Sequence, residues 1–253
     1  MPELDRASFN AIAEWAWRQF CNNALMDAKD VKETRKLSLK IILVPLLFII
    51  ALFVFAFLAH TVVFKDEDLF DEDAFQFFKG YTTPAVVEAM RILSFFGSPR
   101  FFLPAYTILV LFFIFRRQRR YALDIAIVGI SSTVLMFGLK DAFKRQRPDF
   151  PLLDRVTNYS FPSGHALCSF IFCSVLIYIV WNTHWRPAVK WLLSALFFLF
   201  AVSIGISRIV LRYHYASDVL AGICLGFAWA ILCMWLLKRI GGGQRAQQRV
   251  EAK

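Results

Sequence analysis

Residues 189–237 read VKWLLSALFFLFAVSIGISRIVLRYHYASDVLAGICLGFAWAILCMWLL, and this stretch decides the fold. No glycine or proline separates its two apolar segments, 189–207 and 215–237. One continuous helix over the stretch would be about 73 Å long, more than twice the ~30 Å hydrocarbon core of a bilayer. The chain must therefore reverse direction between Arg208 and His214, which predicts two membrane-spanning helices joined by a short turn.

Four further apolar segments precede this pair, at 41–63, 101–115, 121–139 and 166–181. The second of them has no clear start, and a start near Leu93 is an alternative to one at residue 101. With 58% hydrophobic residues and a mean hydropathy of +0.53, the chain of 253 residues is too apolar for an ordinary soluble domain. We therefore predict an all-α polytopic membrane protein with six transmembrane helices.

The polar ends of the chain define the expected domain boundaries. We predict a cytoplasmic amphipathic N-terminal segment at 1–38, a six-helix membrane domain at 39–238 and a basic cytoplasmic tail at 239–253. Within the first, Phe9 to Met26 is either an interfacial helix or an amphipathic helix that packs on the cytoplasmic loops. After the first span, Phe70 to Met90 is either a lid on the outer leaflet or a connector anchored by aromatic residues.

The formal charge of +10 is distributed as membrane topology requires, which argues against nucleic-acid binding. Of the 29 Lys and Arg residues, 18 lie before the first span, between the second and third spans, in the Arg186 to Lys190 loop, or from Lys238 onwards. Because loops rich in positive charge stay in the cytoplasm, we expect both termini there. The loops after the third and fifth spans should then lie outside the cytoplasm.

Three polar clusters interrupt the apolar pattern: KDAFKRQRP at 140–148, PSGH at 162–165 and SRIVLRYHYASD at 207–218. The first two lie between the third and fourth spans, and the last lies between the fifth and sixth. These two connections are on the same side of the membrane, so we expect one composite active site there. Within the clusters, one set of three cations, two histidines and a carboxylate suits phosphoryl transfer without a metal. These residues are Lys140, Arg147, Arg208, His165, His214 and Asp218.

The local settings of these residues point to the same chemistry. PSGH directly precedes the fourth span, where free backbone N–H groups and the helix dipole favour an anion. Taken alone, Ser163 is interpreted as an N-cap, and Gly164 permits close approach of a phosphate. His214 and Asp218 are four apart on one helical face, so the carboxylate can accept from one imidazole nitrogen and leave the other free to attack. Taken alone, such a pair is also compatible with a metal pair or a structural hydrogen bond.

Other polar and small residues receive structural interpretations. Lys144 and Arg145 are interpreted as surface or lipid-headgroup charges. The five cysteines lack metal-ligand spacing and are interpreted as small buried hydrophobic residues, so neither a metal nor another cofactor is predicted. The sixth span carries a stripe of small residues, which predicts close approach by another helix. The stripe is Asp218, Gly222, Gly226 and Ala230.

Eleven positions of the three clusters resemble the signature of the type 2 phosphatidic acid phosphatase family. They are Lys140, Arg147, Pro148, Pro162, Ser163, Gly164, His165, Ser207, Arg208, His214 and Asp218. That family also covers vanadium haloperoxidases and bacterial class A acid phosphatases. The resemblance implies an integral-membrane lipid phosphatase that works through a phosphohistidine. It implies that His214 is the nucleophile, that His165 protonates the leaving group and that Asp218 orients His214. The implied phosphate ligands are Lys140, Arg147, Ser163, Gly164 and Arg208.

The implied substrate has a phosphate head and a hydrocarbon tail, and we expect it to be reached from the outer leaflet of a bacterial inner membrane. Phosphatidate, phosphatidylglycerol phosphate, undecaprenyl diphosphate and lipid A-like phosphates all fit. One alternative is a non-catalytic protein that binds or transports lipid phosphates, although the intact His165, His214 and Asp218 count against it. The other is a vanadate-dependent haloperoxidase, and six spans argue against it because those relatives are soluble.

Overall fold

The computed structural model describes residues 42–67, 70–153 and 157–251, with side chains described as far as residue 237. Within these ranges the regular structure is entirely helical. The helices are α1 Ile42–Phe64, α2 Asp71–Lys79, α3 Pro84–Phe95, α4 Pro99–Phe115, α5 Arg119–Phe143, α6 Gly164–Trp181, α7 Pro187–Val210 and α8 Ala216–Glu251. The predicted N-terminal segment 1–38 lies outside the described residues.

Six stretches of the described chain are long and apolar enough to cross a membrane, which confirms the predicted six spans. Five of them are single helices: α1, α5, α6, α7 and the Ala216–Leu237 part of α8. The remaining span is formed by α3 and α4 together. The helix α8 continues beyond its membrane-spanning part through most of the predicted basic tail.

The second span begins at Pro84, well before either start that we considered from the sequence. Glu88 and Arg91 gave this segment a polar pattern, but they form an ion pair with each other on the exposed surface of α3. The span is interrupted at residues 96–98, and α4 begins with Pro99 at a position where its missing N–H is tolerated. Local hydropathy therefore detected only the second half of this span.

The short helix α2 packs against α7 and α8. Its inner face places Phe75 and Phe78 on a buried cluster of side chains from α6, α7 and α8, while Phe77 on the opposite face is exposed. The same helix carries Asp71 into the interior, where the residue is 2% exposed. The aromatic side chains of α2 thus anchor it to the bundle, as the connector alternative predicts, and the segment from Pro84 onwards belongs to the second span.

The predicted reversal between the last two spans is confirmed, with α7 and α8 joined by residues 211–215. The backbone N–H groups of Tyr213 and His214 both donate to the carbonyl oxygen of Arg208, at 3.0 and 3.2 Å. These bonds satisfy a carbonyl at the end of α7 that has no partner within the helix. Arg212 adopts a left-handed backbone conformation, with φ of 56°, which turns the chain into α8.

The helix α6 contacts α5, α7 and α8. Two glycines on α8 allow α6 to pack closely against that helix. A Cβ atom at Gly222 would lie 2.7 Å from the carbonyl oxygen of Ser163, and one at Gly226 would lie 3.0 Å from that of Leu167. A larger residue at either position would push the two helices apart. The predicted role of the small-residue stripe in helix packing is therefore confirmed.

The loop between α5 and α6 meets the α7–α8 turn at one end of the bundle. The N–H of Ser163 donates to the carbonyl oxygen of Asp218 at 3.0 Å, and that of Leu152 donates to the carbonyl oxygen of Leu211 at 3.2 Å. The two connections that were predicted to share one side of the membrane therefore do so. This junction brings the three polar clusters into one composite site.

Candidate active site

His214 lies at the centre of the site and is 1% exposed. Its Nδ1 atom is 3.3 Å from Oγ of Ser160 and 3.4 Å from a carboxylate oxygen of Asp218. Its Nε2 atom is 3.2 Å from Nη1 of Arg147. A guanidinium can only donate hydrogen bonds, so Nε2 must be the acceptor and the ring proton is assigned to Nδ1. This is the tautomer that leaves Nε2 with a lone pair for attack.

The surroundings of His214 also determine its charge. Burial lowers the pKa of this imidazole well below its ordinary value, and the positive charges of Arg147, Arg208 and Lys140 lower the pKa further. The neutral ring is therefore the form present near pH 7. A neutral imidazole with a free Nε2 is the state required of a nitrogen nucleophile.

Asp218 is fully buried and accepts several hydrogen bonds. Its donors include the backbone N–H of Tyr215 at 3.0 Å, Nη1 of Arg145 at 2.7 Å and the hydroxyl of Ser160. The Ser160 hydroxyl therefore lies between the carboxylate and the imidazole of His214. Ser160 was not predicted from the sequence, because a lone serine in a loop belongs to no motif until the fold brings it next to His214.

The interpretation of Arg145 as a surface charge was wrong, since its side chain is only 13% exposed. One arm of its guanidinium donates to Asp218 and the other donates to Asp71 at 3.0 Å, while the guanidinium carbon lies 4.1 Å from the ring centre of Tyr215. Burial opposes the charge on Arg145, but Asp218 and Asp71 outweigh that effect and raise the guanidinium pKa. Lys144, interpreted in the same way, is exposed.

The three cations of the sequence clusters lack carboxylate partners within 4.0 Å among the described residues. Lys140, 5% exposed, donates to the carbonyl oxygens of Tyr159 and Ser160. Arg208 is also 5% exposed and donates to the hydroxyl of Ser94. Its Nε atom is buried without a hydrogen-bond partner. Within the described residues, the charges of Lys140 and Arg208 are therefore buried without an ion-pair partner.

Arg147 is half-buried and is held in place by protein acceptors. Its Nε donates to the carbonyl oxygen of Asn158 at 2.7 Å, its Nη1 donates to that of Tyr213 at 2.6 Å, and its Nη2 donates to the Asn158 side chain. A polar pocket of about 140 Å³ opens beside it, with Arg212 and Thr157 in its wall. The expected role of Arg147 as a phosphate ligand stays a prediction.

Ser163 occupies the N-cap position of α6, but its hydroxyl makes no capping hydrogen bond. This hydroxyl is fully buried and has no partner, which leaves it available to a ligand. At Gly164, a Cβ atom would lie 2.5 Å from the sulfur of Met136, so a larger residue there would require the Met136 side chain on α5 to shift. Close approach of a phosphate to the Gly164 backbone stays a prediction.

His165 lies against the break in the second span. A Cβ atom at Gly97 would be 2.9 Å from Cδ2 of the imidazole and 2.6 Å from a methyl group of Ile204. The turn at residues 96–98 therefore forms a close wall beside the expected general acid. Ser94, one turn earlier in the chain, is the partner of Arg208, so the second span contacts two residues of the clusters.

Among the described residues, no group of three or more His, Cys, Asp or Glu side chains is arranged to hold a metal. Four of the five cysteines are in the described helices and are free thiols. Two of these, Cys173 and Cys233, are buried as we interpreted them. Cys21 lies outside the described residues.

Comparison with known proteins gives consistent matches. The PAP2 superfamily model matches residues 120–241, a range that contains all three clusters. Phosphatidylglycerophosphatase B of Bacillus subtilis strain 168 is 30% identical over 156 residues, which cover 61% of this chain and 75% of that protein. Undecaprenyl-diphosphatase of Sulfolobus acidocaldarius is 26% identical over 170 residues, which cover 64% of this chain and 76% of that protein.

A solved structure is similar in fold. The crystal structure of a transmembrane PAP2-type phosphatidylglycerolphosphate phosphatase from Bacillus subtilis superimposes with a TM-score of 0.68 and 25% sequence identity. The match covers 76% of this chain and 96% of that one. The helical arrangement described above is therefore that of a known membrane phosphatase.

Proposed function

Because this chain belongs to the PAP2 superfamily, we propose that it is an integral-membrane lipid phosphatase. It removes a terminal phosphate from a lipid phosphate or diphosphate. The observation that carries this proposal is the set of three cations, Lys140, Arg147 and Arg208, around the neutral His214.

A buried charge without a partner is unfavourable, and it is normally paired with an opposite charge. Asp71 and Asp218 both contact Arg145, and no ion pair within the described chain involves Lys140, Arg147 or Arg208. A phosphate group would supply the missing negative charge. The unpartnered hydroxyl of Ser163 and Nε of Arg208 add two hydrogen-bond donors for its oxygens.

The proposed reaction has two steps. Nε2 of His214 attacks phosphorus, the bond from phosphorus to the lipid oxygen breaks, and His165 donates a proton to that oxygen. Water then attacks the phosphohistidine, His165 takes up one proton of that water, and inorganic phosphate leaves. Throughout, Asp218 and Ser160 hold Nδ1–H, while the cations stabilise charge on the non-bridging oxygens.

The lipid nature of the substrate is supported by the membrane-spanning fold and by the relatives. Phosphatidylglycerophosphatase B and undecaprenyl-diphosphatase are named for phosphates carried on lipids. The charge bias of the loops supports cytoplasmic termini and a site that faces outwards. The substrate would then be drawn from the outer leaflet of a bacterial inner membrane.

The test is phosphate release from purified lipid phosphates in detergent. The panel contains phosphatidate, phosphatidylglycerol phosphate, undecaprenyl diphosphate and a lipid A-like phosphate, each in a buffer with EDTA. We expect release from at least one of them without a divalent metal, and none with the His214→Ala variant. Absence of release from the whole panel, or a requirement for added metal, would contradict the proposal.

A further inference from the structure

Asp71 is the first residue of α2 and lies outside all three clusters. One of its carboxylate oxygens accepts from the backbone N–H of Ser217 at 2.7 Å. The other accepts from the Ser217 hydroxyl at 2.6 Å and from Nη2 of Arg145 at 3.0 Å. These bonds join a helix that is not a membrane span to the start of α8. Ser217 directly precedes Asp218 and lies three residues after His214. The Asp71 carboxylate therefore binds the segment that carries both residues.

Arg145 connects the two carboxylates directly. Its Nη1 donates to Asp218 at 2.7 Å and to the Ser217 hydroxyl at 2.8 Å, while its Nη2 donates to Asp71. A guanidinium is planar and rigid, so fixing one arm fixes the direction of the other. The position of Asp71 therefore determines where Arg145 meets Asp218.

The charge of Asp71 has a second effect. With Asp71 ionised, the single positive charge of Arg145 is shared between two carboxylates. Without it, Arg145 would pair with Asp218 alone and draw that carboxylate away from Ser160. Ser160 and Asp218 are the groups that face Nδ1 of His214. Loss of their alignment would remove the acceptors of Nδ1–H and leave only Arg147 to oppose a proton on Nε2, the atom that must attack.

We propose that Asp71 is a positioning residue for phosphoryl transfer, which acts through Arg145 to keep Asp218 and Ser160 aligned on His214. The helix α2 is thereby part of the active site rather than an accessory to the membrane domain. This inference rests on the proposed function. It is nevertheless testable on the resting protein, because the predicted effect is a change in the His214 tautomer.

The main experiment measures ¹⁵N chemical shifts of the histidine side chains in the purified, full-length protein. The His214 signals are assigned by their loss in His214→Gln. We expect the native protein to show one tautomer, with the proton on Nδ1, and Asp71→Asn to show a mixture of both tautomers. The substituted amide would still offer an oxygen to the Ser217 N–H but would carry no charge. The matched control is Asp73→Asn, which removes the same charge from an exposed position of α2.

A second variant guards against misfolding of the first. Arg145→Lys keeps the positive charge but cannot reach two carboxylates with one rigid group, so it should produce the same mixture of tautomers. Kinetics with an aryl phosphate complete the test. For Asp71→Asn, we expect kcat to fall by about ten- to a hundredfold, the range seen when side chains that orient metal ligands are removed. KM should change by less than about twofold, because the phosphate contacts remain.

The kinetic effects of Asp71→Asn and Arg145→Gln should be non-additive, because both break the same chain of contacts. The double variant should be no slower than the slower single variant. The inference is overturned if the His214 tautomer is unchanged in Asp71→Asn, or if that variant is no slower than Asp73→Asn. If native protein fails to hydrolyse any lipid phosphate, the proposed function fails, whereas the tautomer measurement still decides the role of Asp71.

Discussion

Nη1 of Arg147 lies 3.2 Å from Nε2 of His214, so the guanidinium stands beside the atom that we expect to attack phosphorus. A phosphate that approaches Nε2 must meet this group, and one of its oxygens would take the place of the imidazole as acceptor. The carbonyl oxygens of Asn158 and Tyr213 hold Arg147 in that orientation before any ligand arrives. Such preorganisation is what electrostatic stabilisation of a transition state requires.

The first prediction concerns vanadate, which can adopt the five-coordinate geometry of the transition state. Arg147→Lys should weaken its inhibition by at least about tenfold, because a lysine cannot replace the several fixed donors of the guanidinium. Vanadate titration of aryl phosphate hydrolysis measures the change. Lys144→Gln is the control, since it removes an exposed cation from the same loop and should be inhibited like the native protein. Equal inhibition of all three proteins would exclude Arg147 from the phosphate site.

The second prediction concerns pH. Because burial and three cations lower the pKa of His214, its Nε2 should stay unprotonated below the ordinary histidine pKa of about 6.5. The acid limb of kcat/KM for an aryl phosphate should therefore lie below that pH. In Arg208→Gln, the removal of one cation should raise the pKa and move the limb to higher pH. The substrate ionises identically in both assays, so coincident limbs would refute the assignment to His214.

The folded protein should also lose stability as His214 is forced to take up a proton. In the unfolded chain this histidine titrates near its ordinary pKa, whereas in the folded chain its pKa is lowered. The unfolded state therefore binds the proton first as the pH falls. The contribution of the neutral His214 ring to the free energy of unfolding is therefore fully present above the pKa that this residue has in the unfolded chain. It decreases as the pH falls below that value.

Comparison of sequence and structure shows where local patterns were sufficient. Five of the six spans and the reversal before His214 follow from apolar runs and bilayer thickness, which act on neighbouring residues. The meeting of the three clusters at one end follows from the number of spans between them. These features were predicted because each depends on residues close in the sequence or on a simple alternation of sides.

The missed residues depend on contacts between distant segments. Asp71 stands in the exposed-looking run Asp71-Glu72-Asp73, and nothing local distinguishes it from the exposed Asp73. Arg145 likewise resembles its exposed neighbour Lys144. Each is buried because the other, more than seventy residues away, neutralises it. A charge pattern in one segment cannot reveal such a pair.

The third prediction concerns the wall beside His165. Gly97→Ala would place a methyl carbon 2.9 Å from the imidazole and should displace that ring. Hydrolysis of alkyl phosphates should then fall much more than hydrolysis of aryl phosphates, because an alkoxide needs a proton as it leaves. The ratio of the two rates measures the effect. Gly80→Ala is the matched control, since a Cβ atom there meets nothing within 4 Å. Equal losses on both substrates would point to a general packing defect.

The fourth prediction concerns the side of the membrane that the site faces. Single cysteines replace Phe150 and Arg117, both exposed, in a background without the native cysteines. An impermeant thiol reagent added to intact cells should label position 150 and miss position 117. Labelling of both after permeabilisation is the control for reactivity. The reverse pattern in intact cells would place the site in the cytoplasm and change the substrate pool.

The last prediction separates the two histidines by their roles. If Nε2 of His214 is the nucleophile, His214→Ala should abolish hydrolysis of every substrate, whatever its leaving group. His165→Ala should cripple hydrolysis of lipid phosphates but spare formation of the phosphoenzyme from an aryl phosphate, whose leaving group needs little protonation. Asp218→Asn should still bind phosphate, yet it should slow the attack because the Nδ1 proton loses its charged acceptor.

The measurement is a rapid-quench burst with an activated aryl phosphate, followed by mapping of the acid-labile phosphate. The phosphate label should be on His214 in the native protein. It should accumulate in His165→Ala, because His165 activates the water that hydrolyses the phosphohistidine in the second step. The Asp218→Asn burst should be slower but of full amplitude. A label on another residue would refute the assignment of the nucleophile. The two histidine variants could instead lose activity equally on alkyl and aryl phosphates. His214 would then not be the nucleophile with His165 as the acid, although Nε2 of His214 lies beside the Arg147 guanidinium.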